Sequence, residues 1–158
     1  MRHPLFLWLA FGLAGWGIAL DSPIEAAEVW KDMNNQVLQL YQMGRHEKAI
    51  PVAEQALKKA ESEFGAESPE TALSLNNLAL LYKTEGKYDE AIRLYERSLA
   101  IAEKIAGPRH EDLLVPLNNL AMLYESQGEK EKAEKVYERI RNMGQPGTAE
   151  VIKKRARQ

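Results

Sequence analysis

The chain has 158 residues, 45% of them apolar and 28% charged, with 21 Lys+Arg set against 23 Asp+Glu for a formal net charge of −2. This composition excludes wholesale disorder and gives no electrostatic footprint for phosphates, so no nucleic-acid partner is expected. The absence of cysteine removes disulfide scaffolds, thiolate metal sites and thiol nucleophiles. The charge is unevenly placed. Residues 1–20 hold only Arg2, residues 21–150 are net −7, and the last eight residues hold Lys153, Lys154, Arg155 and Arg157 with no acid.

In chain order, the first element is LFLWLAFGLAGWGIAL (Leu5–Leu20), sixteen residues without a charge, after Arg2 and His3 and before Asp21, Ser22 and Pro23. A basic start, a short apolar run and a polar exit with small residues match a secretory signal over 1–19. Gly17 and Ala19 permit a cut after Ala19, and a later cut, as after Ala27, stays open. An uncleaved membrane anchor over 5–20 and an ordinary buried helix are the alternatives, since the run is short for a span of about 20 residues. The first two readings export the rest of the chain, to the periplasm or beyond if the cell is bacterial. Residues 20–29 then form a short leader.

The strongest signal is internal repetition. LNNLALLY (Leu75–Tyr82) recurs as LNNLAMLY (Leu117–Tyr124), 42 residues on, and the same offset pairs Gly86 with Gly128, Ala91 with Ala133 and Tyr95 with Tyr137. One step back lies MNNQVLQL (Met33–Leu40), with Gly44 and Ala49 in register. Three copies follow, at 30–65, 72–107 and 114–143. In the second, Leu75, Leu78, Ala79 and Tyr82 mark one helical face; Thr84–Lys87 breaks it with Gly86; Ala91, Leu94, Tyr95, Ser98 and Leu99 resume it. Each copy therefore reads as two helices joined by a tight turn. Ala79 and Ala91 let the two backbones approach, and Tyr82 and Tyr95 fill the space around that contact. After MGQPG (Met143–Gly147), Thr148 is a candidate N-cap for a capping helix over 148–157 that contacts the stack through Val151 and Ile152.

These residues resemble tetratricopeptide repeats, in the 42-residue form found in kinesin light chains and in many bacterial proteins. The second copy carries the pattern almost in full, including Tyr88 and Leu99, and the loop Gly107–His110 is similar to that form's linker, with Glu111 where a proline is common. The third copy departs at Lys130 and Ile140, and the first at Gln36, His46 and Ala53. The resemblance implies an all-α, right-handed superhelical solenoid of helix–turn–helix repeats, in which terminal copies act as caps.

A catalytic constellation is missing from the sequence. His3, His46 and His110 stand apart, there is no HExxH and no glycine-rich phosphate loop, and Glu111 and Asp112 read as a helix start. No enzymatic activity, cofactor or metal is expected. The paired amides Asn34–Asn35, Asn76–Asn77 and Asn118–Asn119 remain to be explained, since asparagine is a mediocre helix former. In the family that this chain resembles, first helices line a concave groove, and the second amide of each pair contacts a bound peptide or the neighbouring repeat. That role carries over to Asn35, Asn77 and Asn119, with Leu38, Leu80 and Met122 one turn on, then Tyr41, Lys83 and Glu125. Both roles for the amides stay open. The resemblance implies a non-catalytic adaptor for a protein or extended peptide; the alternative is a structural or self-associating scaffold module of an envelope complex, a homo-oligomer. A membrane partner is expected only if the N-terminal segment stays uncleaved.

Overall fold

The computed structural model describes residues 23–143. They form α1 (Pro23–Gln42), α2 (His46–Glu63), α3 (Pro69–Thr84), α4 (Tyr88–Ala106), a single 3-10 turn (Glu111–Leu113), α5 (Leu114–Ser126) and α6 (Lys130–Met143). The proposed signal or anchor and the 148–157 capping helix lie outside the described residues. Helix α1 begins at Pro23, seven residues before the first copy at 30, because proline's fixed φ and missing N–H suit a first helical turn. No helix among the described residues is long and apolar enough to cross a membrane.

Glycine closes each helical hairpin. Gly44, Gly86 and Gly128 have φ of 69°, 75° and 78°, a left-handed backbone that a side chain would strain. In the second hairpin the Gly86 N–H bonds to the Lys83 carbonyl at 3.1 Å and the Lys87 N–H to the Tyr82 carbonyl at 2.8 Å. That pairing satisfies carbonyls the helix end would otherwise leave bare, and it recurs at the other two turns. At the start of α3, Ser68 accepts from the Thr71 N–H at 3.1 Å, with Pro69 opening the helix.

The turns make consecutive helices antiparallel, and each helix packs on the next in the order α1 to α6. Within the second hairpin small residues are packed together: Ala79 and Ala91 are both fully buried in one cluster. Between hairpins, each first helix wedges leucines into the preceding repeat. Leu78 and Leu81 of α3 pack on Val37, Ala49 and Ala53. Leu120 and Leu123 of α5 do the same on Ala79, Ala91 and Tyr95. The equivalents on α1 are Gln36 and Gln39, both exposed. The first copy's departure at Gln36 thus falls on the outer face of the first helix, whereas His46 and the buried Ala53 lie on α2.

Among the described residues, Tyr95 is the largest side chain that is fully buried. Its ring fills the junction between the second and third repeats, while its hydroxyl has no partner among the described residues. Burial accordingly pushes the hydroxyl's pKa well above the ordinary tyrosine value. Two substitutions separate ring from hydroxyl. Tyr95→Phe removes an unsatisfied polar group and should leave the thermal midpoint unchanged or raise it. Tyr95→Ala should cost about 3–5 kcal/mol, as truncating a buried aromatic does, read by urea denaturation.

Candidate functional site

The site residues sit on α1, α3 and α5, the first helix of each repeat. Asn35 and Leu38 are exposed and Tyr41 is half-buried on α1; Asn77, Leu80 and Lys83 are half-buried on α3; Asn119 is half-buried, and Met122 and Glu125 exposed, on α5. Residues three and four apart share a helical face, so each helix offers one amide, one apolar residue and one tip residue in line. Leu38 and Met122 are 46% and 52% exposed although Val37 beside Leu38, and Leu120 and Leu123 beside Met122, are buried. Helix α3 lies against both α1 and α5, which places the three sets on neighbouring helices.

The amides do not act alike. Asn77 Nδ2 donates to Asn34 Oδ1 at 2.9 Å, and Asn34 in turn donates to the Trp30 carbonyl at 2.9 Å. One rung therefore ties repeat two to repeat one, and it joins the second amide of one pair to the first amide of another. At the next junction the equivalent residues are Asn119 and Asn76. There Asn76 Oδ1 is buried without a partner among the described residues. Neighbouring Asn118 spends its Nδ2 on its own helix, on the Leu114 carbonyl at 2.8 Å. Of the histidines considered for chemistry, His46 faces Glu85 at 3.6 Å, and His110 caps the turn before α5 and faces Asp112 at 3.2 Å.

A second set of polar contacts holds the repeats in register. Tyr82 donates to Glu54 at 2.8 Å, and 42 residues on Tyr124 donates to Glu96 at 2.9 Å. Arg97 pairs with Glu61 at 2.6 Å and Arg139 with Glu103 at 2.7 Å, again one repeat apart. Sequence reasoning missed these contacts. Their only signal was the recurrence of Tyr, Glu and Arg at the same offset, which also suits a solvated face. Burial, and then the hydrogen bond to the carboxylate, push the hydroxyls of Tyr82 and Tyr124 up to about 12.

A model of the tetratricopeptide repeat matches residues 32–104 and 82–145. The chain belongs to the tetratricopeptide repeat family. Such repeats generally mediate protein–protein interaction and serve as non-catalytic scaffolds. Among solved structures, the chain is similar to BtubC (BKLC) from P. vanneervenii, at 27% identity and a TM-score of 0.69, over 80% of this chain and 51% of that one. It is also similar in fold to the nearly identical TPR-like repeats of a protein from Podosopora anserina provisionally designated a kinesin light chain. That match has 24% identity and a TM-score of 0.63, over 70% of this chain and 52% of the other. The tetratricopeptide chain thus spans about half the length of these structures. No curated protein matches the sequence.

The unequal amides and the raised hydroxyls each make a prediction. Asn77→Ala leaves Asn34 Oδ1 unpaired and should destabilise the fold by about 1–2 kcal/mol, while Asn119→Ala should fall within about 0.5 kcal/mol of the parent, both by urea denaturation. The second concerns pH. Tyr82 and Tyr124 lose their protons near 12 when folded, against a reference value of 10.0. Above that reference the unfolded chain binds fewer protons, so these two groups add no pH dependence below about pH 10 and lower the stability from there toward 12. Urea midpoints measured across that range should decline, and the decline should shrink in Tyr82→Phe/Tyr124→Phe.

Proposed function

We propose that the aligned faces of α1, α3 and α5 form a short groove that holds an extended peptide or a segment of a partner protein, without catalysis. The observation that carries this reading is the three-tier column of amides and apolar residues, with Leu38 and Met122 left 46% and 52% exposed. An amide offers both a donor and an acceptor to peptide backbone, and an exposed apolar residue one turn on offers a seat for its side chains. Lys83 and Glu125, of opposite sign, end the column on α3 and α5, so the groove favours no single charge on its ligand. The basic start and uncharged run of residues 5–20 support an exported location for this activity.

Within the described residues, the outer faces of α1 and α6 weigh against head-to-tail self-association through them. Gln36 and Gln39 replace wedge leucines on α1. At the other end, the positions equivalent to Lys83, Tyr88 and Ile92 are Glu125, Lys130 and Glu134, which surround Ala133 and Tyr137. Charged groups there make a poor seat for a leucine wedge.

Peptides enriched from a random display library test the groove. Leu38→Ser/Met122→Ser changes two exposed side chains and should leave the thermal midpoint in place while lowering peptide affinity by roughly tenfold, about 1.4 kcal/mol. Equal affinity of variant and parent for every enriched peptide would overturn the groove assignment.

A further inference from the structure

Small residues offer two places where the apolar run could be cut from the rest of the chain, after Ala19 and after Ala27, and the letters do not choose between them. The first turns of α1 do. Ala26, in the fourth position of the helix, is only 1% exposed. Trp30, one turn further along the same face, donates its indole N–H to Ser74 Oγ at 2.8 Å. Its ring meets Phe64 edge-on, at 5.7 Å between centroids. Asn34, another turn on, accepts from Asn77 Nδ2 and donates to the Trp30 carbonyl. The contacts that tie the first repeat to the second thus begin within about two turns of Pro23.

A cut after Ala27 would take this start away. Pro23–Ala27 would leave with the apolar run, including buried Ala26 and Glu25, the acid of the first turn. The new chain end would be Glu28, its ammonium at the positive end of the helix dipole and two residues from Trp30. Trp30 would then belong to a fraying first turn, whose N–H groups have no helical partner. A cut after Ala19 costs α1 none of its residues. It leaves Leu20, Asp21 and Ser22 ahead of Pro23, so the new ammonium is three residues removed from the helix in sequence. It also keeps Ser22–Pro23, the same dipeptide as Ser68–Pro69, where Ser68 caps α3 by accepting from the Thr71 N–H at 3.1 Å.

The residues around Ala19 also suit the protease. Gly17 and Ala19 are small and two apart, and Leu5–Trp16 before them is an apolar core of twelve residues, within the range of about 7–15 for a secretory signal. Two residues before Ala27 stands Glu25, a carboxylate where a small side chain is read. Charge separates cutting from anchoring. Residues 23–30 and 60–70 hold six acids, Glu25, Glu28, Glu61, Glu63, Glu67 and Glu70, and no base; Lys59, Arg97 and Lys104 reach in to pair with three of them. Consecutive helices are antiparallel, so these acids gather at the end of the stack where α1 starts. An uncut anchor would hold that end against a lipid surface, whose anionic head groups repel it. We propose that the Ala19–Leu20 bond is the processing site of this chain, hydrolysed by a membrane-bound signal peptidase, so that the mature protein begins at Leu20. Water adds to the Ala19 carbonyl carbon, the C–N bond breaks and the leaving nitrogen takes a proton. Ala19 ends the released leader as a carboxylate, and Leu20 starts the mature chain as an ammonium. The proposal rests on the exported location given above.

The test expresses the full 158-residue chain, with no tag at its start, in a bacterial host, and weighs the product in each cell fraction by intact-mass spectrometry. A product of residues 20–158 in the periplasmic fraction is the expected result. The matched variants Ala19→Gln and Ala27→Gln place the same long side chain before one or the other cut. In a pulse–chase, Ala19→Gln should slow maturation roughly tenfold or more, and Ala27→Gln should mature as the parent does. Mass is read on the chain itself, so a variant that folds poorly is still scored. An exported product that begins at any other residue, or Ala19→Gln maturing at the parent's rate, overturns the processing site and leaves the exported location standing. The full-length chain held in the membrane fraction likewise overturns the cut alone. The full-length chain in the cytosolic fraction overturns the exported location, and the processing site with it.

Discussion

Every part of this molecule depends on one packing event, the insertion of a first-helix leucine pair into the preceding hairpin. A two-helix hairpin cannot bury its own apolar face, so each repeat borrows a wall from the next. Leu78 and Leu81 supply that wall to Val37, Ala49 and Ala53, and Leu120 and Leu123 supply it to Ala79, Ala91 and Tyr95. The small residues matter as much as the large ones. With alanines between paired helices, the backbones come close enough for a third helix to sit over both. That arrangement leaves the opposite face of each first helix only partly buried.

Around this wedge, the polar contacts divide into those that repeat and those that do not. The Tyr82–Glu54 and Tyr124–Glu96 bonds recur, as do the Arg97–Glu61 and Arg139–Glu103 pairs. Exposed ion pairs of this sort contribute little individually, typically about 0–1 kcal/mol, so their work is in alignment more than in stability. The contacts that occur once are the informative ones. Asn77 to Asn34 and Trp30 to Ser74 lock the first junction, and neither has a counterpart at the second.

Much of the architecture was legible in the sequence, because it is written in short-range terms. Helix faces follow from residues three and four apart, turns from glycines that alone tolerate positive φ, and stacking from a 42-residue period. Site residues were legible only as a column of positions. Asn35, Asn77 and Asn119 look equivalent in sequence, yet Asn77 is bonded across the repeat and Asn35 is exposed. The partner of Asn77 is 43 residues away, and nothing local to either residue specifies that pairing.

The sequence alone therefore determined the number of repeats, the helices within them, the two-sided character of each helix and the near-neutral total charge that separates into unlike zones. These depend on neighbours within a turn or on strict periodicity, which a linear reading captures. Only the tertiary structure decided which amide is spent on holding repeats together, which is left with an unpaired oxygen, and which junction is locked. Those outcomes turn on a few ångströms between helices from different repeats. Side-chain volume and hydrogen-bond direction act across that gap, and the chain must fold before either can.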